Sequence, residues 1–436
     1  MMTKVGGLTK NSIYNLLGSG LPVFVGIATI PRLVHVLGVD RFGVLTLTWA
    51  VMGYFSLFDL GLGRALTQIV AERSGTGDRQ ELPDIIRTAL IMMLSLGLLG
   101  GVCLGLASSL IVGRVLKMSI GLRNEAMLAF ALMAFSVPAV TLLAGLRGIL
   151  EARQRFFEIS LLRLCMGILT FLGPWLVSFK TVHLFWVVLS LEVMRYIALF
   201  AHYWVCRRVV TEIKEGASFQ ARHWKPLLKF GGWMTVSNII SPLMVNMDRF
   251  FIGTFVSVGA IAYYTTPFDM VTKTFAISNA FVTVLFPMFG ALYRTNLPEA
   301  VRLYHKGLMT VTLVLGPILL ILGIGARFIL YYWLGPEFAR QGGPVMRVLC
   351  FGVFINALAA VPYAFIQGTA RPDLTAKFHI IEAPIYIFIL WILGSNFGIV
   401  GVAWAWTWRV IFDFILLAIG AHRIHLDSNF CPDETT

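Results

Sequence analysis

Apolar tracts of about 20 residues, separated by short polar breaks, run along almost the whole chain. Their approximate limits are 12–31, 43–62, 88–112, 127–147, 159–178, 183–205, 230–252, 258–284, 307–330, 345–367, 377–395 and 398–420. At a rise of about 1.5 Å per residue, each is long enough for a helix to cross the hydrocarbon layer of a membrane. The tracts lack the period-two alternation of barrel strands. A backbone inside lipid must satisfy its own hydrogen bonds, so helices are the predicted elements. The pattern predicts an all-α polytopic membrane protein with twelve transmembrane helices.

The tracts divide six and six, and part of the order repeats. Leu82-Pro83-Asp84 opens one copy: an apolar run, a polar break, a second apolar run, then Gly148, Glu151 and Arg153. About 215 residues later Leu297-Pro298-Glu299 opens another, broken at Gly335-Pro336-Glu337 and followed by Gly368 and Arg371. A twofold repeat of membrane helices is typical of carriers that expose one central site alternately to each side. The expected domains are a six-helix bundle over 1–205, a cytoplasmic linker over 206–229, and a second six-helix bundle over 230–436 ending in a short cytoplasmic tail. The two bundles are expected to be pseudo-symmetric around a central cavity.

Composition agrees with this class. Hydrophobic residues make up 58% of the 436 and charged residues 13%, against about 25% charged in soluble domains. Lys and Arg concentrate in alternate loops, including Arg207, Arg208, Lys214, Arg222, Lys225 and Lys229 of the linker. The other set of loops holds Arg32, Arg41, Arg114, Lys117, Arg123, Lys180 and Arg340. The positive-inside rule then places both termini in the cytoplasm, and the net charge of +13 is largely this asymmetry. No basic cluster sits on a soluble module with stacking aromatics, so nucleic acid is not an expected partner. The five cysteines are scattered, with neither a disulfide framework nor a zinc spacing. Met1 to Lys10 reads as the start of an uncleaved first helix. No HExxH, Walker loop or GxSxG occurs, and no large extramembrane segment is present to house catalytic groups, so an enzyme is not expected. Gly61-Leu62-Gly63 is too short for a phosphate loop and reads as a flexible end of the second span.

Ionisable residues inside spans carry the candidate chemistry, because each costs about 2.5–3.5 kcal/mol to insert at mid-bilayer. Asp269 and Lys273 are four apart, as are Arg409 and Asp413, while Glu192 and Arg195 are three apart; each pair shares a helix face. Each pair either neutralises itself and fixes helix packing, or lines a pathway. For Asp269 and Lys273 the neighbouring Pro267, Thr265, Thr266 and Thr272 favour a water-facing helix. Asp248 and Arg249 are adjacent, about 100° apart on a helix, so they must turn to different partners. Asp59, before Gly61, Gly63 and Arg64, reads as either a site or a helix cap. Glu382, one turn after His379, is an intramembrane carboxylate of the kind that carries a proton in transport, or else a hydrogen-bonded core group. Arg163 reads as an interfacial side chain. Polar stripes in corresponding helices, Asn11, Asn15, Ser19 and Pro22 in the first and Asn238, Ser241, Pro242 and Asn246 in the seventh, favour a shared cavity over a simple seam between helices.

Several motifs resemble one family. Asn11-Ser12-Ile13-Tyr14-Asn15, Pro31-Arg32-Leu33, Leu37-Gly38-Val39-Asp40-Arg41-Phe42-Gly43 and Asp59-Leu60-Gly61-Leu62-Gly63 resemble the N-terminal signature of the polysaccharide transporter family, the Wzx-type O-antigen and oligosaccharide flippases. In the second half Asp248-Arg249-Phe250-Phe251-Ile252-Gly253, Ala262-Tyr263-Tyr264, Phe286-Pro287, Gln367-Gly368 with Arg371, and Gly398-Ile399-Val400-Gly401-Val402-Ala403 are similar in the same order. That family is similar to the MATE-type multidrug exporters and to lipid II flippases, with two six-helix bundles around a central cavity.

The resemblance implies a flippase that moves an undecaprenyl-diphosphate-linked glycan from the inner to the outer leaflet of the bacterial inner membrane by alternating access. It implies no bound cofactor, coupling to an H+ or Na+ gradient, contact with membrane lipids, and other polysaccharide assembly proteins as partners. Arg249 and Lys273 would attract the diphosphate. An ion-coupled exporter of small drugs is the alternative within the fold, but acids would then be expected to dominate the cavity, whereas here cations are at least as prominent. A glycan polymerase or ligase would need a sizeable outer loop. A structural scaffold would have no use for intramembrane charges.

Overall fold

The computed structural model describes residues 2–55, 59–76, 81–210, 220, 224, 247–369 and 372–430. Helices are the regular elements throughout these residues, and eight of them are long and apolar enough to cross a membrane. The chain separates into two compact units, Met1–Asn246 and Met247–Thr436.

In the first unit, α1 (Met2–Tyr54) carries the first two apolar tracts and breaks at Gly38, with φ 75° and ψ 163°. An L side chain is disfavoured at that φ, so glycine lets one tract end and the next begin within a single turn. A short capped turn leads to α2 (Leu62–Thr76), where Asp59 accepts hydrogen bonds from the backbone N–H of Gly61 at 2.9 Å and Gly63 at 3.3 Å. Gly61 has φ 72°. Gly61-Leu62-Gly63 is therefore a tied-down helix start, not the loose end of a span. A Cβ added to Gly63 would sit 2.8 Å from the Asp59 carboxylate, so the cap itself requires glycine there.

α3 (Leu82–Leu110) continues into a π turn at Ile111–Val115. α4 (Ile120–Met133) and α5 (Ser136–Ala152) follow almost without interruption, then α6 (Phe156–Val177) and α7 (Leu184–Val209). α7 runs a turn beyond 205, so the expected linker loses its first residues to helix. At one end of this unit Leu62, Leu66, Ile85, Ile86, Met93 and Ile149 form a buried cluster joining α2, α3 and α5. At the opposite end Glu125 of α4 accepts two hydrogen bonds from Arg41, at 3.0 and 2.7 Å, and one from the Leu184 N–H at 3.3 Å, clasping α1, α4 and α7.

The second unit begins with a helical stretch at 247–251 and a π turn at Ile252–Val256. α8 (Val258–Thr272) is capped by the Ser257 hydroxyl, and α9 (Phe275–Thr295) follows a bend at Lys273 and Thr274. α10 (Leu297–Ile324), α11 (Ala326–Leu334), α12 (Pro336–Gly368) and α13 (Pro372–Phe430) complete it. α13 carries the last two tracts and breaks at Gly398, φ 59° and ψ −140°. The tract expected at 230–252 lies mostly outside the described residues.

The sequence repeat is also a repeat of structure. α3 and α10 each open on a proline in the first turn, where no N–H partner is lost, with an acid beside it, Asp84 or Glu299. The second member of each copy is the best-buried span of its unit: half of the 120–152 window and 61% of the α12 window are buried, against 17–33% for the other spans. Each unit is thus built around one central helix, with side chains such as Leu106, Phe200 and Ile324 left more than 70% exposed on the outside. That surface suits lipid and not water.

Candidate functional site

The densest group of buried polar side chains in the second unit joins the 247–251 segment, α8 and α13. Asp248 is fully buried: one carboxylate oxygen accepts the Tyr264 hydroxyl at 2.5 Å and the other the Arg249 backbone N–H at 2.7 Å. The Arg249 side chain, 9% exposed, turns to α8 and donates from Nη2 to Asp269 at 2.8 Å. Adjacent residues on one helix thus serve two different partners on the next. Aromatic rings close the space around them. Phe268 stacks on Tyr264 with centroids 5.8 Å apart and meets Trp406 edge-on at 5.5 Å.

Asp269 does not pair with Lys273. Its partner is Arg249, and Lys273 is exposed at the end of α8, with no ion pair among the described residues. The helix geometry that allows a contact four residues apart does not enforce it. A buried guanidinium from another segment gains more from the carboxylate than a lysine already free to reach solvent.

A second group lies on α13. His379 Nδ1 is 3.4 Å from Glu382, and ligating atoms of His379, Glu382 and Asp413 all fall within 4.8 Å of one another. Glu382 is buried, and one of its oxygens has no hydrogen-bond partner among the described residues. Arg409 lies with its guanidinium carbon 5.4 Å from the Tyr386 ring and does not close an ion pair with Asp413. The expected pair four residues apart is therefore replaced by an acid–acid–imidazole cluster. The break at Gly398 lets 372–397 and 399–430 fold against each other and brings Asp413 back to Glu382.

In the first unit Glu192 and Arg195 likewise do not pair. Glu192 accepts a short hydrogen bond from the Ser136 hydroxyl of α5, and Arg195 donates to the Met52 sulfur of α1 at 3.1 Å. Each makes one hydrogen bond across a helix interface, which ties α7 to its neighbours, while Glu192 Oε2 is buried without a hydrogen-bond partner among the described residues. Asp59 is a cap, and Arg64, five residues after it, is exposed. The Asn15 side chain and all of Asn246 lie outside the described residues. Sequence reasoning quoted Tyr264 only within a family motif, without a role, and passed over Ser136 and Tyr386. A buried tyrosine or serine announces itself only through its partner, and those partners come from distant segments.

Comparison with known proteins gives consistent matches. Residues 8–293 match the family model described as polysaccharide biosynthesis protein. A Shigella flexneri protein named "Putative O-antigen transporter" is 30% identical over 411 residues, covering 94% of this chain and 96% of its own length. The lipopolysaccharide biosynthesis protein WzxC of Escherichia coli is 22% identical, covering 90% of this chain and 76% of its own length. Among solved structures, the inward-facing form of a multidrug resistance MATE family transporter of the MOP superfamily superposes with a TM-score of 0.76 at 16% identity, over 96% of this chain and 97% of that one. A MOP superfamily transporter from Pyrococcus furiosus, whose binding pocket is described as reversed in polarity, gives 0.64 at 15% identity, over 97% of this chain and 95% of that one. At such identities the structural likeness concerns the fold.

Proposed function

The chain belongs to the polysaccharide biosynthesis protein family of multi-pass membrane transporters, and on that premise we propose that it flips a lipid-linked oligosaccharide, an O-antigen or similar repeat unit, from the inner to the outer leaflet of the bacterial inner membrane. The cargo is an undecaprenyl-diphosphate-linked glycan and the cycle is alternating access. A sugar head with a diphosphate does not cross hydrocarbon unaided. The observation that carries the reading is the charge on α8: Lys273 is exposed and unpaired among the described residues, and Asp269 is 48% exposed while held by a buried Arg249. Polar groups placed this way on an apolar bundle fit an anionic cargo better than a cationic drug, whose exporter would be expected to present unpaired acids.

The cluster of His379, Glu382 and Asp413 supports coupling to an H+ or Na+ gradient, since paired carboxylates with an imidazole take up a proton or a small cation. The excess of Lys and Arg in alternate loops supports cytoplasmic termini. Other polysaccharide assembly proteins are the natural partners of a step that hands its cargo onward. The experiment is deletion of the gene. Lipid-linked oligosaccharide should accumulate on the inner leaflet and surface glycan should fall; unchanged glycan with altered drug sensitivity would favour the exporter reading instead.

A further inference from the structure

On the outside of the second unit a concavity of about 760 Å³ runs between α10 and α12. Its floor forms because Gly316 and Gly323 carry no side chain where the helices meet: Cβ atoms built there would lie 3.5 Å from Phe354 and Cys350. Its walls include Leu320 and Phe351, both largely exposed. From Thr312 to Ile324 it extends about 18 Å along the helix axis, a little over half of a hydrocarbon layer about 30 Å thick. That is the depth of one leaflet.

One end of this groove is charged. Arg347 lines it and is exposed, and Arg327, in the first turn of α11, packs against Gly343, one helical turn before Arg347 on α12. Neither arginine has an ion-pair or hydrogen-bond partner among the described residues, whereas the nearby Arg340 is held by Glu337 at 2.6 Å. The level of this end is marked by α11 itself. Phe328, Tyr331 and Tyr332 project from it more than half exposed, the placement of an aromatic belt at the membrane–water interface. The groove therefore runs from that level toward the hydrocarbon, with the Arg347 guanidinium in its lining and Arg327 packed against Gly343 one helical turn away.

We propose that this groove binds a polyprenyl-diphosphate lipid, its chain along Gly316 and Gly323 and its diphosphate on Arg327 and Arg347. Guanidinium pairs recognise adjacent phosphates by parallel charge-assisted hydrogen bonds, and two of them fit a diphosphate better than the single phosphate of a bilayer phospholipid. The inference rests on the reading of the cargo as carried on such a lipid. It adds a holding site on the membrane face of the second unit, separate from Arg249 and Lys273.

The test uses the purified full chain in vesicles of phosphatidylethanolamine and phosphatidylglycerol, with a polyprenyl diphosphate carrying a photoactivatable group in its chain. Labelled peptides should contain Leu320 or Phe351, and unlabelled polyprenyl diphosphate should displace the probe. The double substitution Arg327→Gln and Arg347→Gln should lower labelling about tenfold, corresponding to about 1.4 kcal/mol. Leu320→Trp, which fills the groove from an exposed position, should lower it with both arginines intact. Equal displacement by added phosphatidylglycerol, or labelling unchanged by both variants, overturns the site. Glycan transport is followed in the same vesicles. Transport without groove labelling overturns this site alone, and labelling without transport supports the site while overturning the flippase reading.

Discussion

Arg249 and Asp269 form an ion pair of 2.8 Å in which the arginine is buried and the aspartate is half exposed. The buried partner depends on the exposed one, because an uncompensated guanidinium inside an apolar bundle is expensive. Anything that draws Asp269 away, cargo or solvent, acts directly on the segment carrying Arg249. Asp269→Ala should destabilise the protein by about 1–3 kcal/mol and lower surface glycan. Asp269→Asn keeps an acceptor and should retain more of both. Thermal unfolding in detergent alongside a surface-glycan assay checks the order.

Lys273 has no such structural duty. Lys273→Ala should leave membrane abundance and unfolding temperature unchanged while lowering glycan export, and Lys273→Arg should restore it. Normal export by the alanine variant would remove this residue from the cargo path.

Tyr264 donates to the buried Asp248, so Tyr264→Phe leaves a carboxylate oxygen without its hydroxyl. The expected loss is about 1–3 kcal/mol. Because Asp248 and Tyr264 share one bond, a double-mutant cycle with Asp248→Asn should give less than the sum of the single losses.

Glu382→Gln and Asp413→Asn should each abolish the dependence of transport on the ion gradient while the protein remains folded. Transport driven equally well by the gradient in both variants rules out coupling through this cluster.

Gly148 faces α2, where an added Cβ would lie 2.4 Å from the Thr67 hydroxyl and 2.8 Å from the Gly63 carbonyl. Gly148→Val should cost at least the 1–3 kcal/mol, approximately, of an overpacked core and lower the amount of protein in the membrane. Gly113→Ala, where a Cβ meets nothing within 4 Å, is the control.

Much of the architecture was legible in the sequence because membrane burial writes itself as long apolar tracts, and the repeat was visible as recurring Leu-Pro-acid helix starts. The two helix breaks fall at or beside gaps between the expected tracts, Gly38 within 32–42 among Arg32, His35, Asp40 and Arg41, and Gly398 just after 396–397; what spacing did not single out was the glycine at each break. Ion-pair partners were the least legible. Spacing along one helix suggested Asp269 with Lys273, Glu192 with Arg195 and Arg409 with Asp413, yet the carboxylates go to Arg249, Ser136 and Glu382. Helical spacing says which residues share a face. It does not say which neighbouring helix covers that face, and in an apolar bundle the covering helix supplies the partner.

The central claim is translocation of a lipid-linked glycan, and reconstitution measures it most directly. Vesicles holding the purified chain and undecaprenyl-diphosphate-linked oligosaccharide are treated from outside with an enzyme that modifies the sugar and does not enter. The account predicts that the protein brings the protected inner-leaflet glycan out to the enzyme, and that Lys273→Ala slows this without changing the amount of reconstituted protein. Inner-leaflet glycan that stays protected at the level of protein-free vesicles, under either an H+ or a Na+ gradient, would contradict it.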